Sequence, residues 1–360
     1  MSYKKRLSRL RKAFLPRAEA FLITCPENRR FLSGFPSEDV SLQESAGALL
    51  LTRKEAFILT DPRYQEEAKE CSPLFEPRIY RHGLEAELEG LLSLLKVRSL
   101  LLEPHCLSWA FFNRLQKRLS AVELKEAPPL VERIREIKDA EELEAIRKSL
   151  RIAEEILESI VPRIRPGITE KALAAQIIEM AYRRAEGPSF PPIVASGPNA
   201  AKPHAEPSEK ELRLGEPLII DMGVKWCGYC SDITRTFCVG KPEQRFKEVY
   251  SLVLKAKEEA EKVLAPGELA KRPDLVAREV FRRAGVERNY WHSLGHGVGL
   301  AIHEPPSLSF RSRKKLKAGQ VVTVEPGLYF PDWGGVRLED MVFLKEGGFE
   351  RLNRLGFWYL

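Results

Sequence analysis

The sequence predicts an α/β domain followed by a larger α+β domain, the second containing a pseudo-twofold repeat of helices and β-hairpins. Three observations carry this expectation. Short apolar runs alternate with segments of helical composition over the first third of the chain. The paired prolines of "KEAPPL", residues 125–130, mark a linker, setting the expected domains at 1–130 and 131–360. Beyond Lys138, two helices followed by a carboxylate-bearing strand pair occur twice in the same order.

The first domain opens with "YKKRLSRLRK", the densest basic run, in which Leu7, Leu10 and Phe14 recur at helical spacing. This reads as an amphipathic helix with a solvated basic face. A nucleic-acid arm is the weaker reading, because no aromatic residues interleave with the charges. Strands are expected at "AFLITC" (20–25), "GALLLT" (47–52), "EAFILTD" (55–61) and "SLLLEP" (99–104). Helices are expected in "RYQEEAKE", "LEAELEGLLSLL" and "WAFFNRLQKRL".

In the second domain, Asp139 and Glu142 have the spacing of a capping box. Leu143, Ile146, Leu150, Ala153 and Ile160 follow on one helical stripe. Thr169 caps a second helix, after which "EPLIIDMGV" and "CSDITRTFCV" read as a hairpin. The pattern returns with helices in "PEQRFKEVYSLVLKAKEEAEKVLAPG" and "RPDLVAREVFRRAG". The strands "QVVTVEPGLYF" and "VRLEDMVFL" then flank the turn "PDWGG".

Residues opposite one another in an antiparallel pair share a face. A turn centred on Trp226 and Cys227 would pair Asp221 with Asp232, and one centred on Asp332 would pair Glu325 with Glu339. Facing carboxylates within apolar strands repel and lose hydration, so a positive partner is required; oxygen donors favour hard or borderline divalent ions. Any one of these acids alone would be an ordinary solvated or hydrogen-bonded residue. Of the six histidines, His292, His296 and His303 cluster in "HSLGHGVGLAIH". Its glycines predict an extended segment that approaches a ligand closely, although each histidine alone reads as a satisfied core residue.

Cys227 and Cys230 have the spacing of redox and zinc motifs, but a β-type run follows them and no second pair completes a zinc site. Small turn residues are the leading reading, with a hairpin disulfide as the alternative under oxidising conditions. The chain has 58 Lys plus Arg against 51 Asp plus Glu and 44% apolar residues. Neither a membrane-spanning run nor a signal-peptide pattern occurs, and the irregular cysteines suggest reduced thiols, so a cytoplasmic enzyme is expected.

The ordered stretches "FPPIVASGPNAAKPH", "DMGVKWCGYCSDITRTF", "HSLGHGVGLAIHEPP", "VEPGLYF" and "GGVRLEDM" resemble those of the pita-bread metallopeptidases, in the branch of Xaa-Pro aminopeptidases and prolidases. "NRRFLSGF" and "LTDPRYQEEA" resemble their creatinase-type N-terminal domain, although Pro62 stands where a small residue is more usual. The resemblance implies a pita-bread second domain with a dinuclear site of Asp221, Asp232, His296, Glu325 and Glu339. In it, Asp232 and Glu339 bridge the ions, Asp221 binds one ion, and His296 and Glu325 bind the other. It also implies that His204, His292 and His303 contact substrate or assist proton transfer, and it places Arg337 beside the last ligand. His204, His303 and Glu325 are the implied catalytic groups, while His204, His292, His303 and Arg337 form the implied substrate-binding set.

The complete ligand set argues against creatinase and against non-catalytic binding proteins of this fold. The expected activity is therefore that of an Xaa-Pro aminopeptidase, with a prolidase restricted to Xaa-Pro dipeptides as the alternative. The cofactor expectation is two divalent ions, Mn2+ ahead of Co2+ or Zn2+. The expected partners are a proline-containing peptide and a second copy in a homodimer, with no nucleic acid and no membrane.

Overall fold

The computed structural model describes residues 2–35, 41 and 44–357. Two compact units divide between Arg135 and Glu136. In the first, strands β1 (Ala20–Ile23), β2 (Ala48–Thr52), β3 (Ala56–Thr60), β4 (Glu76–Ile79), β5 (Ser99–Leu102) and β6 (Glu123–Glu126) form one sheet in the order β4-β3-β2-β1-β5-β6. β1 runs antiparallel to β2 and parallel to β5. Helices α1 (Tyr3–Phe14), α2 (Pro26–Ser33), α3 (Gln65–Glu70), α4 (Leu84–Leu94), α5 (Trp109–Arg118) and α6 (Leu130–Arg135) complete the unit.

Leu7, Leu10 and Phe14 of α1 are buried, as their spacing predicts. Leu22, Leu50, Leu59 and Leu100 of the sheet pack with Leu88, Leu92 and Leu115 of α4 and α5 in one apolar cluster. The four expected strands form within one or two residues of their predicted bounds. β4 and β6 were not expected, because these edge strands carry Glu76, Pro77 and Arg78, and Glu123, Lys125 and Glu126, in place of an apolar run.

The second unit begins with α7 (Ala140–Ile160), where Asp139 and Glu142 form the reciprocal capping box, and α8 (Glu170–Arg184), capped by Thr169. Strand β7 (Ile193–Ser196) then pairs with β8 (Pro217–Met222), which pairs in turn with β11 (Ile233–Cys238). Between β8 and β11 lies the small ladder of β9 (Lys225–Trp226) and β10 (Tyr229–Cys230).

After α9 (Gln244–Glu261) and α10 (Lys271–Arg283), the arrangement recurs. β12 (Gly295–Gly297), β14 (Val321–Val324) and β17 (Asp340–Lys345) stand in the same antiparallel succession, extended by β13 (Glu304–Leu308) and β18 (Gly348–Arg351). β15 (Gly327–Phe330) and β16 (Gly334–Arg337) form the outer part of this second hairpin. Each half thus has two helices and a hairpin with a third strand beside its first arm.

The register corrects one expectation. Asp221 lies opposite Thr234, and Ile233 opposite Met222, so Asp232 is not the direct partner of Asp221. The turn centres one residue later, on Cys227 and Gly228, both at positive φ, 50° and 79°. This is the backbone hand that two-residue hairpins require, and it overrides the poor fit of Cys to that region. Asp232 stands two residues before Thr234 and therefore keeps to the same face as Asp221, displaced diagonally. In the second hairpin, Val324 pairs with Asp340 and Gly327 with Arg337, so Glu325 and Glu339 stand opposite in register, as the turn at Asp332 predicts.

Candidate metal centre

The hairpins meet through their carboxylate-bearing strands. Glu339 N donates to Thr234 O at 3.2 Å, and Asp232 N approaches Met341 Sδ at 3.3 Å. Asp221, Asp232 and Glu339 consequently offer carboxylate oxygens within 4.8 Å of one another. His296 joins them from β12, with Nε2 3.6 Å from Asp232 Oδ2 and 3.2 Å from Glu325 Oε1. All five acidic and imidazole groups singled out in the sequence are therefore brought together.

Glycine makes two of these approaches sterically feasible. A Cβ at Gly223, next to Met222, would stand 1.8 Å from Ser231 O, and one at Gly295 would stand 2.1 Å from Thr323 O. Backbones that carry Asp232 and His296 can thus lie against their neighbours only where side chains are missing.

The electrostatics are those of crowded anions. Burial, then the nearby carboxylates, push Asp232 and Glu339 well above the usual carboxylate range. Burial also raises Asp221, with Arg337 opposing and Glu325 adding to the rise. Glu325 behaves oppositely: burial works against its charge, but the His296 hydrogen bond and the positive field of His296, His292 and Arg337 hold it down to about 2. Burial would lower His296, but the Glu325 contact outweighs it and raises the imidazole.

Asp221 Oδ1 and Glu339 Oε1 are buried without a hydrogen-bond partner. Such atoms are costly to leave unmatched. Two orphaned carboxylate oxygens, a third buried acid between them and an adjacent imidazole form a donor set that fits divalent cations.

The cluster forms one end of a cavity of about 480 Å3. Phe190, Pro191, Pro192, Ile193 and Ile302 supply an apolar wall. His204 and His303 line it from exposed positions, and the His303 ring meets His296 edge-on at 4.2 Å between centroids. Burial and His296 lower the His303 pKa, which favours the neutral ring. His292 is also held neutral, pushed down to about 4 chiefly by burial.

Arg337 is buried and donates to Asp221 Oδ2 at 2.6 Å and to the Tyr329 hydroxyl at 2.9 Å. That hydroxyl lies 2.8 Å from His292 Nε2. Tyr329 and Thr234, whose Oγ1 donates to Glu339 Oε2 at 2.8 Å, were not anticipated as site residues. Both sit in apolar strand runs that read as packing; only the tertiary partners of their hydroxyls reveal them. The wall "FPPI" was legible as a motif but not as a lining.

The sequence profile of metallopeptidase family M24 matches residues 144–346, and that of the creatinase/prolidase N-terminal domain matches residues 6–137. An Xaa-Pro dipeptidase of Pyrococcus furiosus is 39% identical over 69% of this chain and 72% of that protein. The solved structure of an Xaa-Pro dipeptidase from Bacillus anthracis is similar with a TM-score of 0.94 at 32% identity, covering 100% of both chains. An X-Pro aminopeptidase structure from Thermotoga maritima reaches a TM-score of 0.87 at 35% identity, covering 97% of this chain and 99% of that one.

Proposed function

The chain belongs to metallopeptidase family M24, and from that premise we propose that it hydrolyses the bond between a residue and a following proline, with Xaa-Pro dipeptides as its substrate class. The observation that carries this reading is the five-donor cluster set beside the apolar wall of Phe190, Pro191 and Pro192. Relatives named Xaa-Pro dipeptidase turn the preference from the aminopeptidase expected of the sequence towards the dipeptidase. The aminopeptidase reading keeps the support of the Thermotoga maritima structure.

Asp221, Asp232, His296, Glu325 and Glu339 would hold two divalent ions. Such a pair supplies Lewis acidity and lowers the pKa of a water nucleophile. Glu325 accepts the proton of the attacking water on its carboxylate, which the low pKa keeps ionised, and returns it to the leaving ring nitrogen. His303 and His204 donate imidazole N–H groups to the oxygen of the scissile carbonyl as charge develops there. The tertiary amide of an Xaa-Pro bond has no N–H to recognise, so the apolar wall selects by ring shape. Arg337 opposes the effect of burial on Asp221 and fixes its carboxylate in direction.

Manganese as the resident ion, a homodimer and a cytoplasmic location belong to the same reading. The deciding experiment is hydrolysis of matched Xaa-Pro and Xaa-Pro-Xaa peptides after chelation and return of Mn2+. Preference for the dipeptide supports the proposal, preference for the tripeptide favours the aminopeptidase, and inactivity with every divalent ion overturns both.

A further inference from the structure

A second group of metal-type donors lies in the first unit. Cys25, His105 and Cys106 each present a donor atom within 4.8 Å of the other two. The topology explains their meeting. β1 and β5 are parallel neighbours, so their carboxyl ends open side by side. Cys25 precedes α2 just after β1, while His105 and Cys106 end the 3-10 turn Pro104–Cys106 just after β5. That edge is where open α/β sheets place their ligands.

A shell of buried polar groups fixes these donors. Glu103 Oε2 accepts from Thr24 N and Cys25 N, both at 2.7 Å, and its Oε1 accepts from Asn28 Nδ2 at 2.6 Å. Asn28 Nδ2 also reaches Glu132 Oε1 at 2.7 Å, and that oxygen lies 3.1 Å from His105 Nε2. One chain, Glu103 to Asn28 to Glu132, therefore holds both the Cys25 backbone and the His105 ring. His105 Nε2 lies on a carboxylate and the ring also hydrogen-bonds to the Cys25 thiol, a contact that an ion would replace; carboxylates behind metal-binding imidazoles orient them in this way. Glu27 Oε2 accepts from Cys25 Sγ at 3.0 Å but stands outside the group of three mutually close donors.

We infer that Cys25, His105 and Cys106 bind a thiophilic divalent ion of the zinc type, separate from the carboxylate centre, with the fourth position open to water. Tetrahedral zinc takes sulfur at about 2.3 Å and nitrogen at about 2.0 Å, which spaces its ligands roughly 3.3–3.8 Å apart. The donors lie within 4.8 Å of one another, so binding would draw them together to that spacing. Two thiol protons leave as two S–metal bonds form, and the Cys25 proton is the one now directed at Glu27. Cys227 and Cys230, the pair that first suggests zinc, belong to no such group among the described residues.

The test uses the full chain, reduced and chelated, titrated with Co2+. Thiolate-to-cobalt charge transfer gives near-ultraviolet absorption that carboxylate and imidazole donors do not produce. We expect this absorption in the wild type and in Asp232→Asn, its displacement by Zn2+, and its loss in Cys106→Ser with peptidase activity kept. His105→Gln, at an exposed position, retains both thiols and should weaken the Co2+ affinity at least about tenfold. Absence of the band in the wild type, or its survival in Cys106→Ser, overturns the inference. Loss of the band in Cys227→Ser alone overturns it too, by placing the ion on the hairpin turn.

Discussion

Replacing Asp232 by Asn should stabilise the metal-free fold while removing its capacity for the active-site ions. Asp221, Asp232 and Glu339 are 9%, 5% and 1% exposed, and their oxygens lie within 4.8 Å. Two unit charges at that separation repel by about 3.5 kcal/mol at an effective dielectric constant of about 20. The substitution removes two of the three pairwise repulsions and one buried charge. The metal-free fold relieves part of this strain by holding protons, so the expected gain at pH 7 is about 1–3 kcal/mol. Asp232 and Glu339 lie well above their unfolded values. At these two groups the metal-free fold therefore binds protons that the unfolded chain has released, and their contribution to stability is greatest at low pH. It declines by about 1.4 kcal/mol per pH unit for each such group between the unfolded and folded values. Thermal unfolding of the chelated wild type and variant at pH 5.5 and pH 8 measures this directly. The variant should melt about 2–12 °C higher at neutral pH, with a wider gap at pH 8. Added Mn2+ at about 100 times its Kd should stabilise the wild type by about 2.7 kcal/mol and leave the variant unmoved. A variant that melts lower than the wild type without metal, or a gap independent of pH, would refute the crowded-anion account.

Three other substitutions examine the parts that hold the centre. Tyr329→Phe removes the hydroxyl between His292 and buried Arg337; a loss of about 1–3 kcal/mol in urea unfolding is expected, together with weaker Mn2+ binding measured by titration calorimetry. Gly223→Ala would set a methyl group 1.8 Å from Ser231 O. Displacement of adjacent Asp232 should then lower activity and metal affinity together, and full activity would show that this close approach is dispensable. Cys227→Asn, at φ 50°, should raise stability by about 1 kcal/mol and leave peptide hydrolysis unchanged, since Asn tolerates the turn conformation better.

What the sequence makes legible here is mostly local. The Asp139–Glu142 capping box and the Thr169 cap depend on residues within one turn and form as expected. The carboxylate hairpins were legible in kind, but the first was misplaced by one turn position: the turn expected on Trp226 and Cys227 left out Gly228, which takes positive φ beside Cys227. β7 and β12, the third strands of the two halves, are short, and β12 is built of Gly295, His296 and Gly297. Their strand character comes from the partners β8 and β14, which a local pattern does not contain. Tyr329 escaped notice for a related reason: within "GLYF" it has the composition of a core residue, and it is indeed fully buried. Cys25 and His105 are brought near each other by parallel β1 and β5, a pairing no sequence spacing announces.

Crowding three anions beside Arg337 requires strands that do not relax apart, and the other face of the ligand strands shows how this is resisted. Arg235 donates to the carbonyl oxygens of Thr234 and Glu339, and its guanidinium meets Asp340 Oδ1 at 2.9 Å. Asp340 Oδ2 in turn takes Lys257 Nζ at 2.7 Å and Arg351 Nε at 3.1 Å, with Glu261 completing the group. Lys257, Arg235 and Asp340 are fully buried or nearly so. Period-two alternation places Asp340 on the opposite face from Glu339, and Arg235 on the opposite face from Thr234. One face therefore collects four carboxylates against Arg337 and His296, while the other pairs its charges internally and ties the two hairpins together. Removing one partner from such a buried group costs about 3–5 kcal/mol, comparable with the repulsion it must withstand. The cation-seeking geometry is thus held by the strand backbones and by the network behind them, and bound cations would complete a site whose positions are already fixed.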